Sequence, residues 1–354
     1  MDSLTQAALG AGFGGMVLGR RLGRSSVLIG AVLGTLPDLD VIIDYGDAIA
    51  DYTYHRGFSH SLFVLGGLAT LLAAISARYA PIRDISFRQW WLFFGLCLLT
   101  HPLLDAFTTY GTQIWWPLDT PPTSWATIFI IDPMFSLPLL ATIIIALLRG
   151  HPQRIMTWGV ALSCGYLAFT LIAKGVVESR LAPILTEHEL DQSPRLVQPT
   201  PFNTLLWRAT IIDDDQHHEV LIGLLDGDTS PLLETYSRGA ELEDDALSLD
   251  AGARLVWFAG PFLRYEQREI DGHETLIATD LRLGFPGYHP FSFALAENHD
   301  GNWQAIDTRQ LDTPSRRDRQ ALTRLWQRIL SPEPPLCTSD LVDSQWLVER
   351  PERC

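Results

Sequence analysis

The sequence predicts an α-helical membrane bundle of about four to six transmembrane helices, followed by a small antiparallel β-rich soluble domain with a C-terminal helix. Three observations carry this. Long runs of Leu, Ile, Ala, Gly, Phe and Trp recur up to Ala173 and then stop. Charge divides at nearly the same place: residues 1–180 hold 11 acidic and 11 basic side chains, while 181–354 hold 30 and 15, so the net charge of −15 belongs to the second half. Beyond residue 200, apolar and polar residues alternate with the period of strands. The domains are therefore drawn as 1–180, transmembrane, and 181–354, acidic and soluble.

Six apolar segments follow in order. Residues 4–18 and 26–43 are short and Gly/Ala-rich, the second broken by Pro37-Asp38, and suit helices that are tilted, in-plane or packed inside a bundle. Residues 61–77, 89–107, 128–148 and 155–173 reach the roughly 17–20 residues that a bilayer crossing needs. Pro102, Asp105, Asp132, Pro133 and Pro138 interrupt two of them. Basic residues sit in alternate loops: Arg20, Arg21 and Arg24, then Arg78, Arg83 and Arg88, then Arg149 and Arg154. If these loops face the cytoplasm, six crossings begin and end outside. The localisation expected is an integral protein of a bacterial-type inner membrane with its C-terminal domain on the outer face, although Lys174 and Arg180 pull weakly the other way. Met1-Asp2-Ser3 has no basic run and does not read as a cleaved signal peptide.

Residues 181–200 read as a Pro-containing linker. Strand character follows at 205–212, 219–225, 254–262, 275–283 and 291–296, separated by turn signals such as Asp226-Gly227-Asp228 and Asp271-Gly272. A helix over residues 315–329 opens at Pro314-Ser315 and sets Leu322, Leu325, Trp326 and Ile329 on one face. Cys97 and Cys164 lie in apolar runs as packing residues, whereas Cys337 and Cys354 can pair only if their half faces an oxidising compartment. His188, His217, His218, His273, His289 and His299 sit mostly beside turns and are expected to be solvated rather than ligating. The acidic half repels phosphate backbones, which excludes nucleic acid as a partner. With no Walker loop, Gly-x-Ser-x-Gly elbow or CxxC, nucleotide hydrolysis, serine-esterase chemistry and thiol redox lack support.

Ionisable groups inside apolar segments are expensive and mark function by default. Pro37-Asp38-Leu39-Asp40 places two carboxylates where Pro37 ends a helix; they can bind metal, or be ordinary turn acids. His55-Arg56-Gly57-Phe58-Ser59-His60-Ser61 places two imidazoles within six residues at a helix mouth, as metal ligands or as interfacial hydrogen-bonding anchors. His101 and Asp105 stand one helical turn apart on one face, a metal pair or a structural hydrogen bond. In the topology above, all three clusters and Asp132 gather toward the outer ends of their segments. Trp115, Trp116 and Trp125 read as an interfacial aromatic belt.

These residues also carry a likeness. The chain resembles the YdjM-like family of membrane-bound metal-dependent hydrolases through Asp2-Ser3-Leu4-Thr5-Gln6-Ala7-Ala8-Leu9-Gly10, Pro37-Asp38-Leu39-Asp40, the His-Arg-Gly-Phe-Ser-His run, His101-Pro102-Leu103-Leu104-Asp105, Thr108-Thr109-Tyr110-Gly111 and Trp116-Pro117. It covers roughly the first half of the chain. The His-x3-Asp pattern is also distantly similar to the zinc-dependent phospholipase C and S1/P1 nuclease group. Many YdjM-like members carry His where this chain has Gln6, so a ligand at that place is lost or weakened here.

Residues and resemblance together point to a membrane-embedded metal-dependent hydrolase acting on a phosphoester or another amphiphilic, lipid-like substrate through a metal-activated water. Asp38, Asp40, His55, His60, His101 and Asp105 are the expected ligands of one or two divalent ions, zinc foremost, with manganese or iron as alternatives. Asp132 is the candidate general base, or a cap at the Pro133 break. Arg56 is the candidate for neutralising an oxyanion, or a side chain that snorkels to the interface. The rival readings are a non-catalytic metal-binding transporter or sensor, and a membrane-anchored protein whose acidic domain binds a protein partner of unspecified kind.

Overall fold

The computed structural model describes all residues except 81–83, 228, 313–318, 334 and 342–344, and leaves the side chains of 319–322 undescribed. In chain order the helices α1 (Ser3–Leu22), α2 (Arg24–Thr35), α3 (Ala48–Tyr54), α4 (Leu62–Tyr79), α5 (Phe87–Ala106), α6 (Pro133–Arg149) and α7 (Pro152–Glu187) come first. Strands β1 (Arg195–Pro199), β2 (Leu206–Asp213), β3 (Gln216–Gly223) and β4 (Leu233–Ser237) follow, then α8 (Glu243–Leu247) and α9 (Asp250–Ala259). The chain ends with β5 (Leu263–Ile270), β6 (His273–Asp280), β7 (Ser292–His299), β8 (Asn302–Gln310), α10 (Arg319–Leu330) and β9 (Leu347–Glu349). Two compact units result. One holds Met1–Ile43, His55–Leu171 and Pro201–Asn203; the other holds Asp44–Tyr54, Ile172–Thr200 and Thr204–Cys354.

The first unit is helical. A glycine seam joins α1 and α2: a Cβ on Gly10 would lie 2.2 Å from the Gly30 carbonyl oxygen, and one on Gly34 would lie 2.5 Å from that of Gln6. Only glycine lets the backbones come so close. Around this hairpin, Leu18, Leu65, Ala69, Phe93 and Leu98 form one buried cluster, and Leu9, Leu104, Phe135 and Leu139 another. The outer faces are also apolar: Leu71 and Ile75 on α4, Leu137, Ile144 and Leu148 on α6, and Trp158 and Leu162 on α7 are exposed. A rim of this kind suits a hydrocarbon solvent. Among the described residues, α4 and α7 are long and apolar enough to cross a bilayer; α2 and α6 are apolar but shorter. The 20-residue helices α1 and α5 fall outside this class, so four to six crossings do not follow from length and hydropathy alone.

The second unit holds two antiparallel sheets, β1-β2-β3-β4-β9 and β5-β6-β7-β8. Val177, Leu181, Ile184 and Leu185, from the C-terminal part of α7, bury against Val197, Trp207, Ala209, Ile211, Val220 and Ile222 on one face of the first sheet. This packing corrects the linker expected over 181–200. Apolar residues at helical spacing carry α7 through Pro183 as far as Glu187, and β1 begins at Arg195 after a short turn. Residues 254–262 are not a strand either. Leu255, Phe258 and Ala259 line the buried side of α9, and Gly260 closes that helix with φ 63°. Strands β1, β4, β5, β8 and β9 are additional to those expected.

In α10, Leu325 and Ile329 bury against Leu206 and Leu221, while Trp326 is exposed; the expected Pro314-Ser315 start and the Leu322 side chain lie outside the described residues. Arg83 and Asp228 lie outside them too. His217, His218 and His289 are buried, against the expectation of solvated histidines, because the first two are interior positions of β3 and the third sits under Trp346. Cys337 and Cys354 are joined by a disulfide, and of the two cysteines expected to be packing residues Cys97 is buried and Cys164 exposed.

Segment 44–54 belongs to the second unit: Tyr52 donates to Asp280 at 2.9 Å and packs on Phe258, Phe291 and Phe293, and Thr308 donates to Asp47 at 2.6 Å.

Candidate metal centre

Local chemistry places each side chain. Pro37 lacks the N–H that would continue α2, and the chain tightens into a 3-10 turn, Pro37–Ile42, that presents Asp38 and Asp40. A second such turn, Phe58–His60, presents His60, and Ser61 then caps α4 by accepting from the backbone N–H groups of Phe63 and Val64. His101 and Asp105 lie one turn apart near the end of α5.

The four side chains Asp38, His60, His101 and Asp105 converge. His101 Nε2 lies 3.1 Å from His60 Nε2, 3.2 Å from Asp38 Oδ1 and 3.5 Å from Asp105 Oδ2. His60 Nε2 lies 3.2 Å from Asp105 Oδ2 and 3.6 Å from Asp38 Oδ1. All four atoms fall within 4.8 Å of one another. Tetrahedral zinc with bonds of about 2.0–2.1 Å separates its ligand atoms by about 3.3–3.4 Å. The five edges above bracket that value, and the donors, two imidazoles and two carboxylates, are those zinc takes. His60, His101 and Asp105 are buried; the Asp38 side chain keeps 18% of its surface and forms the open edge.

The surroundings decide which nitrogens carry protons. His101 Nδ1 lies 2.6 Å from the Gly34 carbonyl oxygen, which can only accept, so Nδ1 is the protonated nitrogen. Ser59 Oγ donates to Asp40 Oδ2 at 2.7 Å and is left to accept from His60 Nδ1 at 2.8 Å. Both Nε2 atoms therefore face the cluster beside two carboxylate oxygens. Such a set repels itself in a dry interior and is satisfied by a cation. Asp105 is divided in the same sense: Oδ1 accepts from Gln6 Nε2 at 3.0 Å and from the Met1 amino group, while Oδ2 has no hydrogen-bond partner among the described residues.

The other expected residues stand beside the cluster. Asp40 turns Oδ2 to Ser59 and to the Arg56 backbone N–H at 2.9 Å, and Oδ1 to His55 Nδ1 at 3.2 Å. It thus orients His60 through Ser59. The His55 ring is 6.2 Å from the His60 ring, centre to centre, and partly exposed. Arg56 is buried, with Nε 3.4 Å from Asp105 Oδ2. Asp132 does not join the group. It caps α6 by accepting from Met134 and Phe135, and its other oxygen accepts from Tyr166 at 2.8 Å.

Residue-by-residue reading missed Ser59, Gly34 and Gln6. Ser59 had a signal, a hydroxyl next to His60 in the sequence. Gly34 acts through its carbonyl and had none. At Gln6, where the chain departs from the family pattern, the amide donates to Asp105 Oδ1 at 3.0 Å instead.

Residues 1–177, half of the chain, match the YdjM inner membrane protein family. The chain belongs to that family. The YdjM-matching span contains all four converging side chains. A Bacillus subtilis (strain 168) relative carrying the name Uncharacterized protein YfhP is 25% identical over 313 residues, 85% of this chain and 92% of its own. The Escherichia coli (strain K12) inner membrane protein YbcI is 36% identical over 109 residues, 30% of this chain and 59% of its own. No solved structure matches. None of these matches extends to the zinc-dependent phospholipase C and S1/P1 nuclease group, and that likeness is not supported. Membership of YdjM makes this an inner-membrane protein, in keeping with the apolar outer faces of its helices.

Proposed function

We propose that this YdjM member is a membrane-embedded, metal-dependent hydrolase acting on an amphiphilic substrate. The observation that carries the reading is the pair of imidazole Nε2 atoms 3.1 Å apart between two carboxylates. Asp38, His60, His101 and Asp105 hold the ion; a divalent cation there supplies Lewis acidity and a water-derived nucleophile at neutral pH. Gly34, Ser59, Asp40 and Gln6 fix ligand orientation, which keeps lone pairs aimed inward before any ion arrives. Asp38 and His55, the two partly exposed members, mark the side from which a substrate approaches. Leu39, Val41, Ile42 and Phe58 are exposed around those turns and give an apolar tail a surface to lie on.

The site sits where α2 ends and α4 begins and near the end of α5, opposite the ends that carry Arg20, Arg21, Arg24, Arg78, Arg88, Arg149 and Arg154. By the positive-inside rule this favours an extracytoplasmic site, and the Cys337–Cys354 disulfide favours the same side for the second unit. Polar groups gathered at one end favour a site over a transport pathway.

The test is elemental analysis of detergent-purified protein beside His60→Ala and His101→Ala. About one or more equivalents of zinc, manganese or iron, lost in both variants, is the expected result. Wild type that stays metal-free after exposure to those ions sinks the hydrolase reading and promotes partner binding by the acidic half.

A further inference from the structure

Buried arginines elsewhere in this chain show what a satisfied guanidinium looks like. Arg208 forks onto Glu219 at 2.7 and 2.6 Å, and Arg282 onto Asp280 at 3.0 and 2.6 Å. Arg328 forks onto Asp226 at 2.6 Å in both arms. Arg56 does not follow them. It is 4% exposed, yet its Nε and Nη1 are buried without a hydrogen-bond partner among the described residues. Its Nε stands 3.4 Å from Asp105 Oδ2, within ion-pair range but without a hydrogen bond. The Tyr110 ring backs the guanidinium at 4.9 Å.

The backbone is committed to this placement. Arg56 has φ 62°, a left-handed conformation that costs a long side chain energy and persists only where neighbours enforce it. Here they do: its N–H donates to Asp40 Oδ2 at 2.9 Å, and its carbonyl accepts from the Gln113 N–H at 3.0 Å. Nε and Nη1 thus keep charged N–H donors buried with an ion-pair neighbour but no hydrogen bond among the described residues, a costly arrangement to keep for packing alone.

We propose that Arg56 is the oxyanion-binding half of the site and that the group it takes is the phosphoryl group of a phosphoester. The reasoning is one of oxygen count. A guanidinium fork uses two oxygens. A carboxylate has only those two oxygens to share between Arg56 and the cluster one side chain away. A tetrahedral phosphoryl group keeps a further oxygen for it. The substrate class rests on the hydrolase reading; binding of the anion by Arg56 does not.

The experiment uses the full chain in detergent, with metal content measured first. Inorganic phosphate is titrated into wild type, Arg56→Gln and Arg56→Lys by calorimetry, with acetate at equal ionic strength as competitor. The expected result is phosphate binding at least tenfold weaker in Arg56→Gln, partly restored in Arg56→Lys, at unchanged metal content and without competition from acetate. Undiminished binding in Arg56→Gln, or equal displacement by acetate, overturns the proposal. If Arg56→Gln does not fold, wild type decides: phosphate must raise its unfolding midpoint above that in acetate, and equal midpoints overturn the proposal. A metal-free protein that still binds phosphate through Arg56 removes the hydrolase reading and upholds this one; a metal-loaded protein indifferent to phosphate does the reverse. Dihexanoyl phosphatidate against glycerol 3-phosphate separates the sources. Tighter binding of the former assigns the group to a lipid headgroup, equal binding assigns it to a soluble phosphoester, and in both arms the binding must fall in Arg56→Gln.

Discussion

At the centre of the first unit, neither histidine is free to choose which nitrogen it protonates. Gly34 makes that choice for His101, and Asp40, acting through Ser59, makes it for His60. Ser59→Ala should therefore loosen the ion without abolishing the site, weakening metal affinity by about 10- to 100-fold in a chelator competition; unchanged affinity would make the serine a bystander. The side chains that chemistry requires were legible in the sequence, since a His or Asp inside an apolar run has few other reasons to be there. Which of the six expected ligands meet was not legible: Asp40 and His55 share the motifs of Asp38 and His60, and only the turn geometry separates them.

Histidines of the second unit were misjudged for a related reason, because proximity to a turn in sequence says little about depth. Burial, aided by Arg208, holds His289 down to about 3, and burial with the charges of His289 and Arg208 holds His217 well below its ordinary value. Unfolded, both take up a proton near pH 6.5. The His289 contribution to stability is intact above that pH and is lost as pH falls toward 3, by about 1.4 kcal/mol per unit, and that of His217 falls in the same direction. The unfolding midpoint should drop steeply between pH 6.5 and 4 in wild type and less steeply in His289→Gln. Parallel slopes would count against the assignment.

Helices show how far periodicity reaches. The apolar segments were found because a bilayer-length run leaves little ambiguity, whereas 254–262 was misread because a short run of Leu, Val, Trp and Phe suits a strand as well as a helix. The same limit hid the end of α7, where Pro183 suggested a break that Leu181, Ile184 and Leu185 override by burial. The glycine seam was visible only as composition. Its role gives a sharp contrast: Gly30→Val meets the Gly10 carbonyl, 2.3 Å from the new Cβ, while Gly66→Ala meets nothing within 4 Å. The first substitution should cost at least 1–3 kcal/mol and, because Gly34 and Gln6 ride on the same two helices, should also release the metal. The second should do neither. Thermal unfolding and metal content measured on both variants check this.

Over the whole chain, the division into a helical half and an acidic β-rich half was legible from charge and hydropathy, because the two halves meet different solvents. The disulfide adds a test of sidedness. Closing a loop of 17 residues, it should contribute about 3 kcal/mol to the second unit, so reductant should lower its denaturation midpoint. In intact membranes, Cys337 and Cys354 should resist maleimide until reduced if that unit faces an oxidising compartment; labelling without reductant would place it on the cytoplasmic side.

What neither charge nor hydropathy disclosed is the excursion at 44–54. The chain leaves the site after Asp40, lends Ile49 and Tyr52 to the other unit's core, and returns at His55. During synthesis this creates an order of events. The partners of Tyr52, from Phe258 to Phe293, are made some 200–240 residues later, a delay of about 10–50 s at ordinary elongation rates. Until they emerge, the span joining Asp38 and Asp40 to His55 and His60 has nothing to dock on. On the proposed reading, an ion is held firmly only by a finished polypeptide, and a ribosome that stalls midway leaves a product unable to hold one.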